Sequence, residues 1–514
     1  MTICAISTPP GIGGIAVVRI SGPEAIEVAD RVWRGKPLGQ AATHTAHLGV
    51  IADPANGNEI DQAVATVFRA PRSFTGEDVV ELSVHGSRWI QTELVNLLIR
   101  CGCRLADPGE FTRRAFTNGR IDLAEAEAVA DVIAAESEAA NRVAQQQLRG
   151  TFSRCLGRLR DGLVDLASLI ELELDFAEEH VEFADRTRLL ALAHETLATV
   201  DRLSASFAAG QAIKNGVPVA IVGAPNAGKS SLLNMLLHDD RAIVSDIPGT
   251  TRDTIEDTTT IGGLTFRFID TAGLRRTTDA VENLGIGRTW TAISRARIIL
   301  WVVDASLAQP QNGASTTAAV ASDFSDDARR FAAELAERAP SDSVVIAVLN
   351  KTDLLADEKV RTLLDSFAHL PGLRSAIAIS ASAGTGLDAL RTLLSSNAFA
   401  GRTTAADASN STPSAIAQHK DSATNPSQGH LRSELPVEIA SADAVIVTNA
   451  RHYEALLHAS ESLQRVIDGL QTTLPADLVA QDVRETIHHL STITGDITTP
   501  DILTTIFSRF CVGK

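Results

Sequence analysis

Aromatic side chains make up only 4% of this 514-residue chain, so its cores must be built mainly from Ala, Leu, Val and Ile packed between helices and α/β layers. Cysteine is scarce too. Cys4, Cys101, Cys103, Cys155 and Cys511 are too few and too scattered for a disulfide framework or a convincing metal centre, and Cys101-Gly102-Cys103 reads as two small residues at a turn. No stretch approaches the roughly 18 uncharged apolar residues that a bilayer span requires. Met1-Thr2-Ile3-Cys4 opens without a basic segment followed by a long apolar one, so a cytoplasmic protein with no membrane contact is expected. Positive charge is also short, with 46 Lys and Arg against 63 Asp and Glu and a formal net charge of −17. Broad adhesion to nucleic acid or anionic lipid needs the opposite balance. Any RNA contact is therefore local or shared with a partner.

What is present is ordinary globular material, with 44% apolar and 21% charged residues. At roughly 150 residues per domain the length predicts about three domains. Residues 1–119 read as a small α/β domain, with strands over Gly13–Ile20, Asp61–Arg69 and Asp78–His85 punctuated by glycine and proline. From Ile121 to Phe176 the spacing becomes helical: Phe152, Leu156, Leu159, Leu163, Leu166 and Ile170 recur every three or four residues. That stripe is a bundle core in want of a partner, and residues 120–215 are read as the first half of a helical domain. Between residues 216 and 396 strands over Val217–Val222, Leu264–Ile269, Ile298–Val303 and Val344–Leu349 alternate with helices, the pattern of a mostly parallel sheet. Residues 397–435 are rich in Ser, Thr, Ala, Asn and Pro and read as a disordered linker. Over residues 436–514 helical spacing returns in Tyr453, Leu456, Leu463, Val466 and Leu470, then Val479, Val483, Ile487, Leu490 and Ile493. These helices are the natural partners of the first stripe. The fold class is thus multidomain α+β and α/β, with an α/β module inserted into a split helical domain.

Gly223-Ala-Pro-Asn-Ala-Gly-Lys229-Ser230 follows an apolar strand and precedes a helical segment, the context that a phosphate loop requires. Its glycines let backbone N–H groups converge on phosphate oxygens, Lys229 adds a point charge near the β and γ phosphates, and Ser230 is placed to ligate Mg²⁺. Asp270-Thr271-Ala272-Gly273 and Asn350-Lys351-Thr352-Asp353 end later strands, where α/β sheets bind ligands. Asp270 suits the Mg²⁺ hydration shell. The carboxylate of Asp353 accepts from guanine N1–H and the exocyclic amine, groups that adenine does not present, so GTP is favoured over ATP. Ser380-Ala381-Ser382, after a strand over Ala376–Ile379, completes the base pocket.

Leu274 stands where Ras-like enzymes place a water-orienting glutamine, so another residue must orient the attacking water. Thr251, in Gly249-Thr250-Thr251-Arg252-Asp253, is the candidate second Mg²⁺ ligand. Glu282 is the candidate catalytic residue, the alternative being a solvated loop charge.

The chain resembles the MnmE (TrmE) family of tRNA-modification GTPases over nearly its whole length. The likeness is carried by Thr8-Pro-Pro-Gly-Ile-Gly-Gly14, Arg19-Ile-Ser-Gly22, Ser73-Phe-Thr-Gly-Glu-Asp78, Pro108-Gly-Glu-Phe-Thr-Arg-Arg-Ala-Phe116, Asp122-Leu-Ala-Glu-Ala-Glu127, the GTPase motifs and the terminal Phe510-Cys-Val-Gly-Lys514. The resemblance implies an N-terminal folate-binding domain that dimerises, a split helical bundle and an inserted Ras-like P-loop GTPase domain. It implies GTP contacts at Asn226, Ala227, Gly228, Lys229, Ser230 and Ser231, at Ser245, Asp246, Ile247, Pro248, Gly249, Thr250 and Thr251, and at the later motifs named above. Potassium is implied at Asn226, Ser245, Ile247 and Thr250 in place of an arginine finger, with Glu282 positioning the water.

By the same resemblance Arg19, Glu81, Arg120 and the C-terminal Lys514 hold 5-formyltetrahydrofolate or 5,10-methylenetetrahydrofolate. The partners implied are a second copy in a homodimer, an FAD-dependent MnmG-type protein in a heterotetramer, and tRNA reached mainly through that protein. Cys511 lies near the one-carbon site or is a small buried thiol. On the residues alone Arg19 and Glu81 read equally as a strand-end salt bridge, and Arg120 stands where the family commonly has lysine. Ser382 likewise replaces a basic residue. The rival function is a GTP-dependent ribosome-assembly or RNA-binding switch.

Overall fold

The computed structural model describes residues 1–175, 186–238, 257–269, 282–308, 317–399, 445–472, 474–508, 510 and 513. It divides into two compact units. One comprises Met1–Ala134, Val143–Ser204 and Ala450–Lys514, the other Ala135–Arg142 and Ala205–Asn449.

The first unit begins with strands Ile3–Ile6 (β1), Gly13–Ser21 (β2), Trp33–Arg34 (β3), Thr45–Ala52 (β4), Glu59–Phe68 (β5), Val79–Gly86 (β6) and Arg104–Leu105 (β7). They form one sheet in the order β3-β4-β5-β6-β2-β1-β7, antiparallel except for the parallel β1 and β7. Successive side chains of a strand point to opposite faces. In β2 this buries Ala16, Val18 and Ile20 in one core with residues of helices Ala25–Val32 (α1) and Arg88–Arg100 (α2). In β6 it buries Val80, Leu82 and Val84 in the same core. The same alternation turns Arg19 and Glu81, which are register partners, to the other face. The fourth strand, β4, carries no clean alternation in Thr45–Ala52 and is absent from the sequence reading.

The helical part of this unit contains Glu110–Thr117 (α3), Leu123–Ala134 (α4), Thr151–Asp175 (α6) and Arg186–Ala205 (α7), while Glu138–Leu148 (α5) is divided between the two units after Arg142. One helical stretch to Phe176 is therefore three helices, interrupted after Ala134 and at the left-handed Gly150. In α6, Phe152, Leu156, Leu163, Leu166 and Ile170 are buried, whereas Leu159 is half-buried. Ala450–Gln471 and Ala476–Thr494, here α14 and α15, supply the awaited cover. The α6 helix packs on α15, which packs in turn on α14. Arg465 of α14 ties to Asp482 and Glu485 of α15 at 2.8 and 2.6 Å. Deeper in, Glu127 of α4 accepts from Arg451 Nη2 at 2.9 Å and lies 2.6 Å from His452 Nε2, while Arg451 also donates to the carbonyls of Thr492 and Ile493. Burial pushes the Glu127 carboxyl up, but His452 and Arg451 outweigh it and bring it down to about 2.

The second unit has strands Val217–Val222 (β8), Asp257–Ile261 (β9), Leu264–Ile269 (β10), Ile298–Asp304 (β11), Val344–Asn350 (β12) and Ser375–Ala378 (β13) in the order β13-β12-β11-β8-β10-β9. All neighbours are parallel except the edge strand β9. Every residue of β12 is buried, as a continuous apolar run covered on both faces requires. Among the described residues its helices include Phe207–Asn215 (α8), Lys229–His238 (α9), Glu282–Arg295 (α10), Thr317–Arg338 (α11), Asp357–Ala368 (α12) and Leu387–Asn397 (α13).

The domain boundary read at Gly216 falls inside this unit. The reason is local packing, since α8 buries Gly210, Ala212 and Ile213 and contacts β8 and β10. Chain segments 206–211 and 446–448 run side by side there: Val447 N donates to Ser206 Oγ at 3.0 Å, and Gln211 Nε2 donates to Thr448 O at 2.8 Å. A Cβ at Gly210 would stand 2.0 Å from Val447 O, which demands glycine. The linker read from Asn397 begins too early, since Asn397 closes α13 and the buried Ala398 accepts from Arg297 Nε at 2.7 Å. The rest of that reading, residues 400–435, lies outside the described residues, as do residues 436–444. No helix among the described residues is long and apolar enough to cross a membrane, and none of their His, Cys, Asp and Glu cluster as a metal site.

Candidate nucleotide site

The site grows from the C-terminal ends of β8, β11, β12 and β13, which parallel pairing brings to one edge of the sheet. From β8 the chain turns through Gly223, where a Cβ would lie 2.1 Å from Val302 O, so only glycine passes β11 this closely. Asn226 follows in the left-handed conformation at φ 60, a region that asparagine tolerates better than most residues. The loop ends at Gly228, φ 97, directly before α9. Ser230 and Ser231 lie in the first turn of that helix, where backbone N–H groups lack intrahelical acceptors and favour anions. Lys229 Nζ donates to the carbonyls of Gly223 and Ala224 at 2.8 and 2.7 Å, curling over the loop it serves. Burial pushes its ammonium below the usual lysine range.

Two loops meet beside this phosphate loop. Asn350, 2% exposed, donates from Nδ2 to Ala227 O at 2.9 Å and accepts at Oδ1 from Ala381 N at 3.0 Å. One amide thus joins the phosphate loop, the end of β12 and the loop after β13. Thr352 donates through N and Oγ1 to Ile379 O, which locks the last two loops together. Ser380 Oγ donates to Asp353 Oδ1 at 2.6 Å, lies 3.0 Å from Ser382 Oγ and accepts from Ala383 N at 3.2 Å. The Asp353 carboxylate is held in one orientation, as selective pairing with two guanine N–H groups requires. The strand before this loop is Ser375–Ala378, one residue earlier than the sequence pattern indicates at each end.

The structure therefore brings together Asn226, Ala227, Gly228, Lys229, Ser230 and Ser231 with Asn350, Lys351, Asp353, Ser380, Ala381 and Ser382. Ser245, Asp246, Ile247, Pro248, Gly249, Thr250, Thr251, Asp270, Thr271, Ala272 and Gly273 lie outside the described residues. Glu282 is the first residue of α10, and its side chain lies outside them too. One member of the cluster carried no sequence signal. Asp304, the last residue of β11, receives Lys351 Nζ at 2.6 Å, a contact created by the sheet register alone.

In the first unit, Arg19 reaches Glu81 Oε1 through Nε at 2.9 Å and Nη2 at 2.8 Å. Its guanidinium also stands 5.9 Å from the centre of the Phe74 ring and 5.6 Å from that of Phe111. Arg120 is exposed, and a Cβ at Gly76 would meet its Cγ at 3.2 Å, so Arg19 and Arg120 border the same Ser73–Asp78 loop. The loop is anchored from beneath: Glu77 accepts from Ser21 Oγ at 2.7 Å and from Arg114 Nη1 at 3.0 Å. Arg114 also joins the buried Glu110, whose carboxyl is pushed up by burial but brought below its usual range by the Asp107 N–H, Arg104 and Arg114. Those partners account for the glutamate and second arginine of the Pro108–Phe116 motif. Lys514 and Cys511 lie outside the described residues, but Gly513 O accepts from Ser7 Oγ at 3.1 Å, beside the end of β1.

A parallel sheet that carries a phosphate loop, an Asn-Lys-x-Asp base motif and a fixed acceptor carboxylate defines a P-loop GTPase. Comparison with known proteins refines this. A family model described as the MnmE helical domain matches residues 123–511, and one described as the GTP-binding protein TrmE N-terminus matches residues 2–120. Curated proteins named tRNA modification GTPase MnmE are similar from end to end. That of Cytophaga hutchinsonii is 43% identical over 513 residues, covering 100% of this chain and 98% of its own. That of Parabacteroides distasonis is 44% identical over 518 residues, covering 100% of both. The chain belongs to the MnmE family of tRNA modification GTPases, and it hydrolyses GTP in tRNA modification.

Proposed function

We propose that this GTPase works in the cytoplasm as a homodimer, joined in a heterotetramer to an FAD-dependent partner of the MnmG type. Together they add an aminomethyl or carboxymethylaminomethyl group to C5 of the wobble uridine, with a one-carbon unit from 5-formyl- or 5,10-methylenetetrahydrofolate. The observation that carries the reading is the outward Arg19–Glu81 pair beside the partly exposed Phe74. A carboxylate that accepts from ring N–H groups, a guanidinium and a flat aromatic surface match the chemistry of a pteridine, while Arg120 suits the carboxylates of a glutamate tail. With a net charge of −17, this subunit leaves most of the tRNA contact to the partner.

For hydrolysis, Lys229 and the N–H groups around Gly228 bind the β and γ phosphates, Ser230 and Thr251 hold Mg²⁺, and Glu282 orients the attacking water. Potassium fits the oxygen donors of Asn226, Ser245, Ile247 and Thr250, and when bound it supplies the positive charge that an arginine finger supplies elsewhere. The left-handed backbone of Asn226 on the phosphate loop supports that assignment.

Calorimetric titration of the full chain with 5-formyltetrahydrofolate tests the folate reading. Saturable binding that is lost in Arg19→Ala is expected, and silence from the intact protein overturns it. The cation reading is tested separately: GTP turnover rises by about tenfold or more when potassium replaces sodium, and equal rates refute it.

A further inference from the structure

We propose that Asp304 is a positioning residue for the guanine pocket, holding the Lys351 side chain in its binding conformation before nucleotide arrives. Asp304 and Asn350 close the neighbouring parallel strands β11 and β12 and are register partners. The sheet therefore delivers a carboxylate to the residue that follows Asn350. Both oxygens of that carboxylate are engaged. Oδ2 receives Lys351 Nζ at 2.6 Å, and Oδ1 accepts from Ser306 N at 3.0 Å and Ser306 Oγ at 2.6 Å. Ser306 keeps the group from turning, so the ammonium meets a fixed anchor.

Lys351 is constrained from its other end as well. Its backbone is left-handed, at φ 63, between Asn350, tied to two loops, and Asp353, tied to Ser380. A lysine stem has more rotamer freedom to lose than almost any other side chain. Fixed at Cα and at Nζ, it has lost that freedom already, and nucleotide binding need not order it. The Asp304 side chain is 11% exposed and that of Lys351 34%, so the anchor lies inside while the lysine stem keeps some contact with solvent. Burial pushes the Asp304 carboxyl up, but Lys351 and Ser306 outweigh it and leave it below the usual range, ionised at neutral pH.

The inference rests on the assignment of Lys351 to the base pocket, and the test separates the two. Labelled GDP is loaded into the full-length wild type, Asp304→Asn, Asp304→Glu, Lys351→Met and the Asp304→Asn/Lys351→Met double variant. Asparagine still accepts from Ser306 but cannot pair ionically with the ammonium. GDP dissociation is expected to accelerate by about tenfold in Asp304→Asn, with KM for GTP rising in proportion while the loss in kcat stays small. Asp304→Glu recovers part of the deficit, and the double variant is no worse than Lys351→Met alone because the two residues act as one unit. Fast dissociation in Lys351→Met but a wild-type rate in Asp304→Asn overturns the proposal and spares the pocket. Wild-type dissociation in Lys351→Met overturns both. Full additivity in the double variant, or a loss confined to kcat and thermal stability, reduces Asp304 to a strut.

Discussion

Asn350 and Ala227 are 123 positions apart in sequence and 2.9 Å apart in space, joined by a buried hydrogen bond from the asparagine amide to the loop carbonyl. The same amide accepts from Ala381 N, so the phosphate grip and the base pocket share one brace. Asn350→Ala leaves Ala227 O without this buried partner, at about 1–3 kcal/mol, and the half-buried Ala381 N without its acceptor. GDP affinity should fall by at least about tenfold, as read by fluorescence titration. Undiminished affinity would show that the loops hold their places without the brace.

Gly228 makes the complementary case. A Cβ there would lie 2.0 Å from Asn350 Nδ2, and its φ of 97 is strained for any L side chain. Gly228→Ala is expected to abolish measurable GDP binding by displacing the brace and turning the loop. Normal loading of this variant would mean that the loop rebuilds around a methyl group.

Much of this is legible in the sequence, for identifiable reasons. The segments β8 and β10 match their predicted spans because short apolar runs end there at glycine or at the polar start of a motif. The edge strand β9, Asp-Thr-Thr-Thr-Ile, carries no strand signal: it is polar but for its last residue and owes its conformation to pairing with β10. Helix α8 reads as bundle material because its apolar spacing is the same whether a helix or a sheet receives it. Asp304 lacked a signal for a related reason. Its place beside Lys351 comes from strand register, which local pattern does not encode.

Asp353→Asn should change which base is accepted. A carboxylate offers acceptors alone, matching guanine N1–H and the 2-amino group, whereas an amide offers one acceptor and one donor, matching the N1–H and 2-oxo group of xanthine. GTP hydrolysis at low substrate should fall by about a hundredfold or more, and xanthosine triphosphate should become the better substrate in competition. Ser380 Oγ remains able to donate to the asparagine carbonyl, so a failure to gain xanthine preference would count against Asp353 as the base reader.

Glu127 links the acid stability of the helical part to one buried cluster. Its carboxyl is brought from an ordinary 4.5 to about 2 on folding, so its contribution is complete above about pH 4.5 and is lost as pH falls towards 2. The shift corresponds to on the order of 3 kcal/mol. Glu127→Gln should melt well below the wild type at pH 7, with the gap narrowing through pH 4 and 3. Scanning calorimetry across that range checks it. A gap independent of pH would assign the loss to packing around His452 instead.

Ser206 and Val447 bond directly although they are 241 positions apart in sequence. A polypeptide that leaves a scaffold and returns at the same spot can be lengthened, shortened or exchanged there without repositioning the scaffold's own ends. The nucleotide module thus behaves like a cassette. A circularised version of residues 206–447, closed across that bond, needs only a short joining peptide, with Ala135–Arg142 supplied as a separate piece.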